Sequence, residues 1–160
     1  MPESVPGNPA LTISQGVMRD DGEASKRSFL CVGKRVMKSC LVVDDSSVVR
    51  KVARRILEDL DYIVDEAEDG QEAFDKCRQE MPDAILLDWQ MPVMGGLEFL
   101  KLLRAYVGGG APRVVYMVTE YDVGQIALGL KAGASDYMMK PFDRDILEKM
   151  FLGQQLRASA

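Results

Sequence analysis

Residues 39–67 read SCLVVDDSSVVRKVARRILEDLDYIVDEA, and the order of patterns inside this stretch decides the fold. SCLVV (39–43) is a short apolar strand that stops at the acid pair Asp44-Asp45. Ser46 or Ser47 can then cap a helix, because a side-chain oxygen there accepts from a free backbone N–H of the first turn. SVVRKVARRILEDL places apolar residues at Val48, Val52, Ile56 and Leu60, the spacing of one helical face. YIVDEA (62–67) is a second strand. Strand, helix and strand in this order form a unit whose strands run parallel.

The alternation continues outward. Asp69-Gly70 turns into the helix QEAFDKCRQE, stopped by Met81-Pro82. AILLD (84–88) is strand three. GLEFLKLLRAY (96–106) is a helix with Leu97, Leu100 and Leu103 on one side, and VGGGAP reads as a flexible loop. RVVYMVT (113–119) is strand four. DVGQIALGLKAG is a helix weakened by Gly124 and Gly129. SDYMM (135–139) is strand five, and a last helix runs from about Asp143 to Leu156. Five strand–helix repeats predict an α/β fold: a doubly wound (βα)5 parallel sheet covered by helices on both faces. The strands are continuous apolar runs, as burial on both faces requires.

The 160 residues suit one domain with a full core. Net charge is −5, which argues against general binding to nucleic acid or anionic membrane. The absence of histidine removes His-based general bases, Ser-His-Asp triads and His-ligated metals. Cys31, Cys40 and Cys77 fit neither a zinc site nor a disulfide framework, and Cys40 reads as a small core residue. No apolar run is long enough to span a membrane, and the N-terminus lacks a secretory signal, so the expected location is cytoplasmic.

Residues 1–36 hold three of the seven prolines and show no periodicity, which predicts a flexible extension ahead of a domain at 37–160. Two readings of it stay open: a tail with or without a role, or an upstream extension of a frame whose natural start is Met37.

In doubly wound sheets, sites form outside the carboxyl ends of the strands, where strand order reverses. Strand one ends in Asp44-Asp45, strand three in Asp88, strand four in Thr119 and strand five in Lys140-Pro141. With strand order 2-1-3-4-5, these groups meet at one edge. Three acids together repel one another and stay partly protonated unless a cation binds. Oxygen-only donors suit Mg²⁺. A phosphoryl group on Asp88 would meet the metal, the Lys140 ammonium and the Thr119 hydroxyl, the positioning and neutralisation that phosphoryl transfer needs.

The stretches LVVDDSSVVRK, EAEDGQEA, LLDWQMPVMGGLEFL, MVTEYD and AGASDYMMKPFD resemble the receiver domain of bacterial response regulators, most nearly the stand-alone CheY-like type. The resemblance covers about residues 38–156. It implies a two-component phosphorelay in which Asp88 takes phosphate from a phosphohistidine on a histidine kinase or histidine phosphotransfer protein. It implies Asp45 as a direct Mg²⁺ ligand, Asp44 acting on the metal mainly through water, and the Gln90 backbone carbonyl completing the site. It also implies that Thr119 swings toward the phosphoryl group, that Lys140 pairs with it, that the Lys140-Pro141 bond is cis, and that Tyr137 changes rotamer with Thr119. The face of helix four, strand five and helix five would then change affinity for a protein target, such as a motor switch protein or a kinase, as in chemotaxis. Beyond self-phosphorylation and its reversal, no enzyme activity is expected, and neither DNA binding nor membrane insertion. With only a short stretch after the last helix, the output is expected to fall to a partner. Glu120 departs from the family, where a small residue follows the switch threonine. Gln90 and Tyr121 occupy positions that tune hydrolysis.

The same residues admit other readings. Each acid alone could cap a loop or helix. An aspartyl phosphatase needs a second acid two residues after the nucleophile, where this chain has Gln90. A phosphorylation-independent module could bind a partner protein or a nucleotide second messenger through Arg50, Lys51, Arg54 and Arg55. Those four read first as a solvated helix face paired with Glu58 and Asp59. Trp89 is expected to be exposed beside the site, with Met91 and Met94 packing over it.

Overall fold

A computed structural model describes residues 37–158, the last six by backbone only. The readings of residues 1–36, Cys31 included, lie outside the described residues. The elements are β1 (Lys38–Val43), α1 (Ser47–Asp59), β2 (Tyr62–Ala67), α2 (Gly70–Gln79), β3 (Ala84–Asp88), α3 (Gly96–Ala105), β4 (Arg113–Val118), α4 (Val123–Ala132), β5 (Asp136–Met139) and α5 (Arg144–Ala158). All strand pairs are parallel, in the order β2-β1-β3-β4-β5. This is the expected doubly wound sheet.

Alternate residues of each strand feed two cores. Leu41, Val43, Ile85, Leu87, Val114 and Val118 pack on one face with Phe99, Leu100 and Leu103 of α3, Ala73 and Cys77 of α2, and Ile126 of α4. Cys40, Val42, Ala84, Leu86, Val115 and Met117 pack on the other with Ala53, Ile56 and Leu57 of α1 and Leu147 and Phe151 of α5. Each fully buried aliphatic side chain contributes roughly 1.5–3 kcal/mol by leaving water. The central strands carry that burial on both sides, which explains their uninterrupted apolar runs. Both described cysteines are buried inside these layers, which pushes the Cys77 thiol up to about 12 and the Cys40 thiol higher still.

Three expectations change. The α1 face against the sheet is Ala53, Ile56 and Leu57, whereas Val48 and Val52 are 68% and 45% exposed. Both stripes satisfy helical spacing, and Ser46 as N-cap sets which one turns inward; its hydroxyl accepts from the Val49 N–H at 3.4 Å. The segment after α3 is a set of tight turns rather than a flexible loop. The Arg104 guanidinium donates to the carbonyls of Gly109 (2.8 Å) and Pro112 (2.9 Å), and to that of Gly133. Gly129 does not merely weaken α4: a Cβ there would lie 2.5 Å from the Tyr116 ring, so its absence lets α4 sit flush on β4. Among the described residues, no helix is long and apolar enough to cross a membrane.

Candidate functional site

The register builds the site. β1 pairs with β3 as Cys40↔Ala84 through Val43↔Leu87. One step further, Asp44 stands beside Asp88, both on the face of the sheet covered by α1 and α5. The same extension of Val118↔Met139 brings Thr119 beside Lys140. Carboxylate oxygens of Asp44, Asp45 and Asp88 lie within 4.8 Å of one another. Asp44 and Asp88 are buried, at 0% and 3% exposure, while Asp45 is exposed.

Every polar position of Asp44 is engaged. Its N–H donates to the Ala67 carbonyl at 3.1 Å, and its carbonyl accepts from Arg50 at 2.7 Å. Oδ1 accepts from the Ser46 N–H and Oδ2 from Lys140 Nζ, each at 2.8 Å. Lys140 Nζ is also 3.4 Å from Asp88 Oδ1. Burial pushes the Asp88 carboxyl up to about 6, and the Asp44 charge adds to this; Lys140 and the Gln90 N–H partly offset it. For Lys140, burial alone would lower the pKa, but the bond to Asp44 and the charges of Asp88 and Asp44 outweigh it and hold it above its ordinary value. The Lys140-Pro141 bond is cis.

The loop after β3 folds back against the end of that strand. Gly96 donates to the Trp89 carbonyl at 3.0 Å, and a Cβ on Gly96 would lie 2.2 Å from the Asp88 carbonyl. Only a glycine admits that approach. Beside it opens a cleft of about 500 Å³ lined by Asp45, Asp88, Trp89, Gln90, Met91, Pro92, Thr119 and Lys140. Three oxygen donors in an open polar cleft fit a hard divalent cation that keeps several waters, as Mg²⁺ does.

The remaining expected residues divide. Thr119 and Gln90 line the cleft. Glu120 and Tyr121 are exposed beyond it, outside its lining. Tyr137 is half-buried against the α2–α4 core, away from the acids. Trp89 is half-buried rather than exposed, because it packs against that same core. Met94 is buried there and Met91 partly so.

The α1 arginines do more than form a solvated face. Arg54 pairs with Glu58 as expected (3.1 Å), but Asp59 pairs with Arg144 (2.8 Å), and both Arg50 and Arg54 reach Glu66 on β2. The available signal was Glu66 itself, an acid near the end of the strand beside β1.

Comparison with known proteins agrees with this architecture. The family profile of the response regulator receiver domain matches residues 40–152. The response regulator MprA of Mycolicibacterium vanbaalenii is 42% identical over 102 residues, 64% of this chain and 43% of that protein. MprA of Mycobacterium avium is also 42% identical, over 64% of this chain and 44% of its own length. The chain thus spans less than half the length of these curated relatives. Among solved structures, the chemotaxis response regulator CheY4 of Vibrio cholerae superposes with a TM-score of 0.70 at 33% identity, covering 73% of this chain and 98% of that one. A CheY-like receiver domain protein from Methanospirillum hungatei gives 0.68 at 27% identity, covering 77% and 98%. With its profile match, strand order and cluster of strand-end acids, the chain belongs to the response regulator receiver domain family of two-component signalling.

Proposed function

We propose that Asp88 is the phosphoacceptor of a two-component phosphorelay and that its phosphorylation switches affinity for a protein target. The observation that carries this reading is the cluster of Asp44, Asp45 and Asp88 carboxylates with Lys140 Nζ 3.4 Å from Asp88. Asp45, Asp88 and the Gln90 carbonyl would hold Mg²⁺, with Asp44 acting on it through water. Bound there, the metal neutralises charge on the phosphoryl oxygens.

The chain's own groups do the rest. An Asp88 carboxylate oxygen attacks the phosphorus of a phosphohistidine. The P–N bond breaks, its electron pair returns to the imidazole nitrogen, and an acyl phosphate forms on Asp88. Lys140, already aimed at Asp88, pairs with the transferred group, and the Thr119 hydroxyl donates to it. The donor is a histidine kinase or a histidine phosphotransfer protein, the type of partner with which receiver domains interact. Movement of Thr119 frees Tyr137 to repack and alters the face of α4, β5 and α5, a shift between two packings biased by phosphate. No further enzyme activity is assigned.

Incubation with phosphoramidate or acetyl phosphate and Mg²⁺ tests the reading. The expected product is about 80 Da heavier, acid-stable and base-labile, and absent from Asp88→Ala. If no donor yields an adduct, the chain is instead a phosphorylation-independent binding module.

A further inference from the structure

We propose that Arg50, braced by Glu66, is a positioning residue for the acid pocket. It fixes the plane of the Asp44–Asp45 peptide, and so the place from which Asp45 extends its carboxylate to a divalent cation. The inference rests on the reading above only in taking this pocket as a cation site.

The Arg50 guanidinium donates at 2.7 Å to the Asp44 carbonyl, the oxygen of the peptide unit that joins the two acids. Asp44 has three other anchors, so its own carboxylate does not depend on Arg50. Asp45 has none of these. It is exposed, and among the described residues its carboxylate meets no hydrogen-bond or ion-pair partner. The point and angle at which its Cα–Cβ bond leaves the chain are set by the backbone that carries it, and Arg50 holds that backbone.

The brace is built to keep Arg50 in place. Arg50 Nε bonds Glu66 Oε1 at 3.0 Å, and Arg54 Nε takes Glu66 Oε2 at 2.6 Å. Glu66 lies opposite Val42 in the β1–β2 register, so the first turn of α1 is tied to β2 across the top of β1. The Arg50 side chain is only 15% exposed. Groups that orient the ligands of a metal in this way typically change affinity tenfold or more when removed.

The sign of the effect separates positioning from simple electrostatics. Arg50 is a cation close to a cation site, so Coulomb repulsion alone predicts tighter Mg²⁺ binding once it is removed. Positioning predicts weaker binding. Titration with Mg²⁺, followed by Trp89 fluorescence, reads the difference. Arg50→Ala is expected to raise the Kd about tenfold. Glu66→Gln, which keeps Arg50 but leaves one neutral acceptor oxygen for the two arginines, is expected to raise it about threefold, and it carries the test should Arg50→Ala fail to fold. Arg50→Lys retains one donor and falls between wild type and Arg50→Ala. Lys51→Ala, which removes an exposed cation from the same helix, gives an unchanged or slightly lower Kd. Thermal unfolding without metal is measured alongside, because a merely structural role would lower Tm and leave the Kd alone. A folded Arg50→Ala with unchanged or tighter Mg²⁺ binding overturns the inference while the phosphoacceptor reading stands. Wild-type protein that shows no response to Mg²⁺ removes both.

Discussion

Asp88 sits where two opposing requirements meet. A buried carboxyl beside another buried acid prefers to be neutral, yet a nucleophile or a ligand must be charged. Its pKa is about 6 against an ordinary 3.8, so between those values the folded state holds a proton that the unfolded chain has lost. Without metal, stability contributed by this group therefore falls as pH rises through about 4 to 6, by roughly 3 kcal/mol, and stays low above that. Asp88→Asn keeps the shape and removes the charge. At pH 7 without Mg²⁺ it is expected to stabilise the protein by about 1–3 kcal/mol, with the gain vanishing near pH 4, as urea unfolding at several pH values will show. Lys140→Ala acts in the opposite direction. It leaves the Asp44 charge buried without its ion-pair partner, which costs about 2–4 kcal/mol near neutral pH, and Mg²⁺ should restore part of that loss.

Among the elements, the loop between β3 and α3 carries a visible conformational cost. Val93 has φ +67° and is 81% exposed, a left-handed conformation that a β-branched residue rarely adopts. Val93→Gly is expected to raise stability by about 1 kcal/mol, measured as a higher urea midpoint with the same slope. Gly129→Ala should do the reverse: its Cβ meets the Tyr116 ring at 2.5 Å, so α4 must lift from β4 at a cost of about 1–3 kcal/mol, with a matching fall in Tm. The strands were legible because burial on both faces leaves a run such as AILLD no polar alternative. The acids at their ends were legible because parallel strands all point their carboxyl ends one way. Helix faces were less so. Val48 and Val49 each begin an acceptable apolar stripe, and only the geometry of the turn after β1 chooses between them. The Arg50–Glu66 brace was hidden for a related reason. Charges four residues apart on a helix are visible in one dimension, whereas a pair joining α1 to β2 exists only once the register of β1 and β2 is known.

Across the whole molecule, the two ends of the sheet do different work and should be energetically separate. The carboxyl end holds the acid cluster. At the opposite end, Asp83 Oδ2 accepts from the Ser39 N–H at 2.8 Å and the Ser39 hydroxyl at 3.3 Å, tying the start of β3 to β1. Four residues of β3 lie between Asp83 and Asp88, a separation of roughly 16 Å, beyond the range at which substitutions usually couple. Both core layers share the one sheet, so unfolding is expected to be a single transition in which contributions from the two ends add. Mg²⁺ at a hundredfold excess over its Kd would stabilise the folded state by about 2.7 kcal/mol, which raises Tm by about 10 °C in a domain of this size. Asp45→Ala is expected to abolish most of that increment with little effect on the metal-free Tm, because its carboxylate is exposed. Asp83→Ala should lower the metal-free Tm by several degrees yet keep the full increment. Scanning calorimetry of the three proteins with and without Mg²⁺ decides the matter: an increment lost in Asp83→Ala would mean that the cation is held by the sheet as a whole rather than by the acids at its edge.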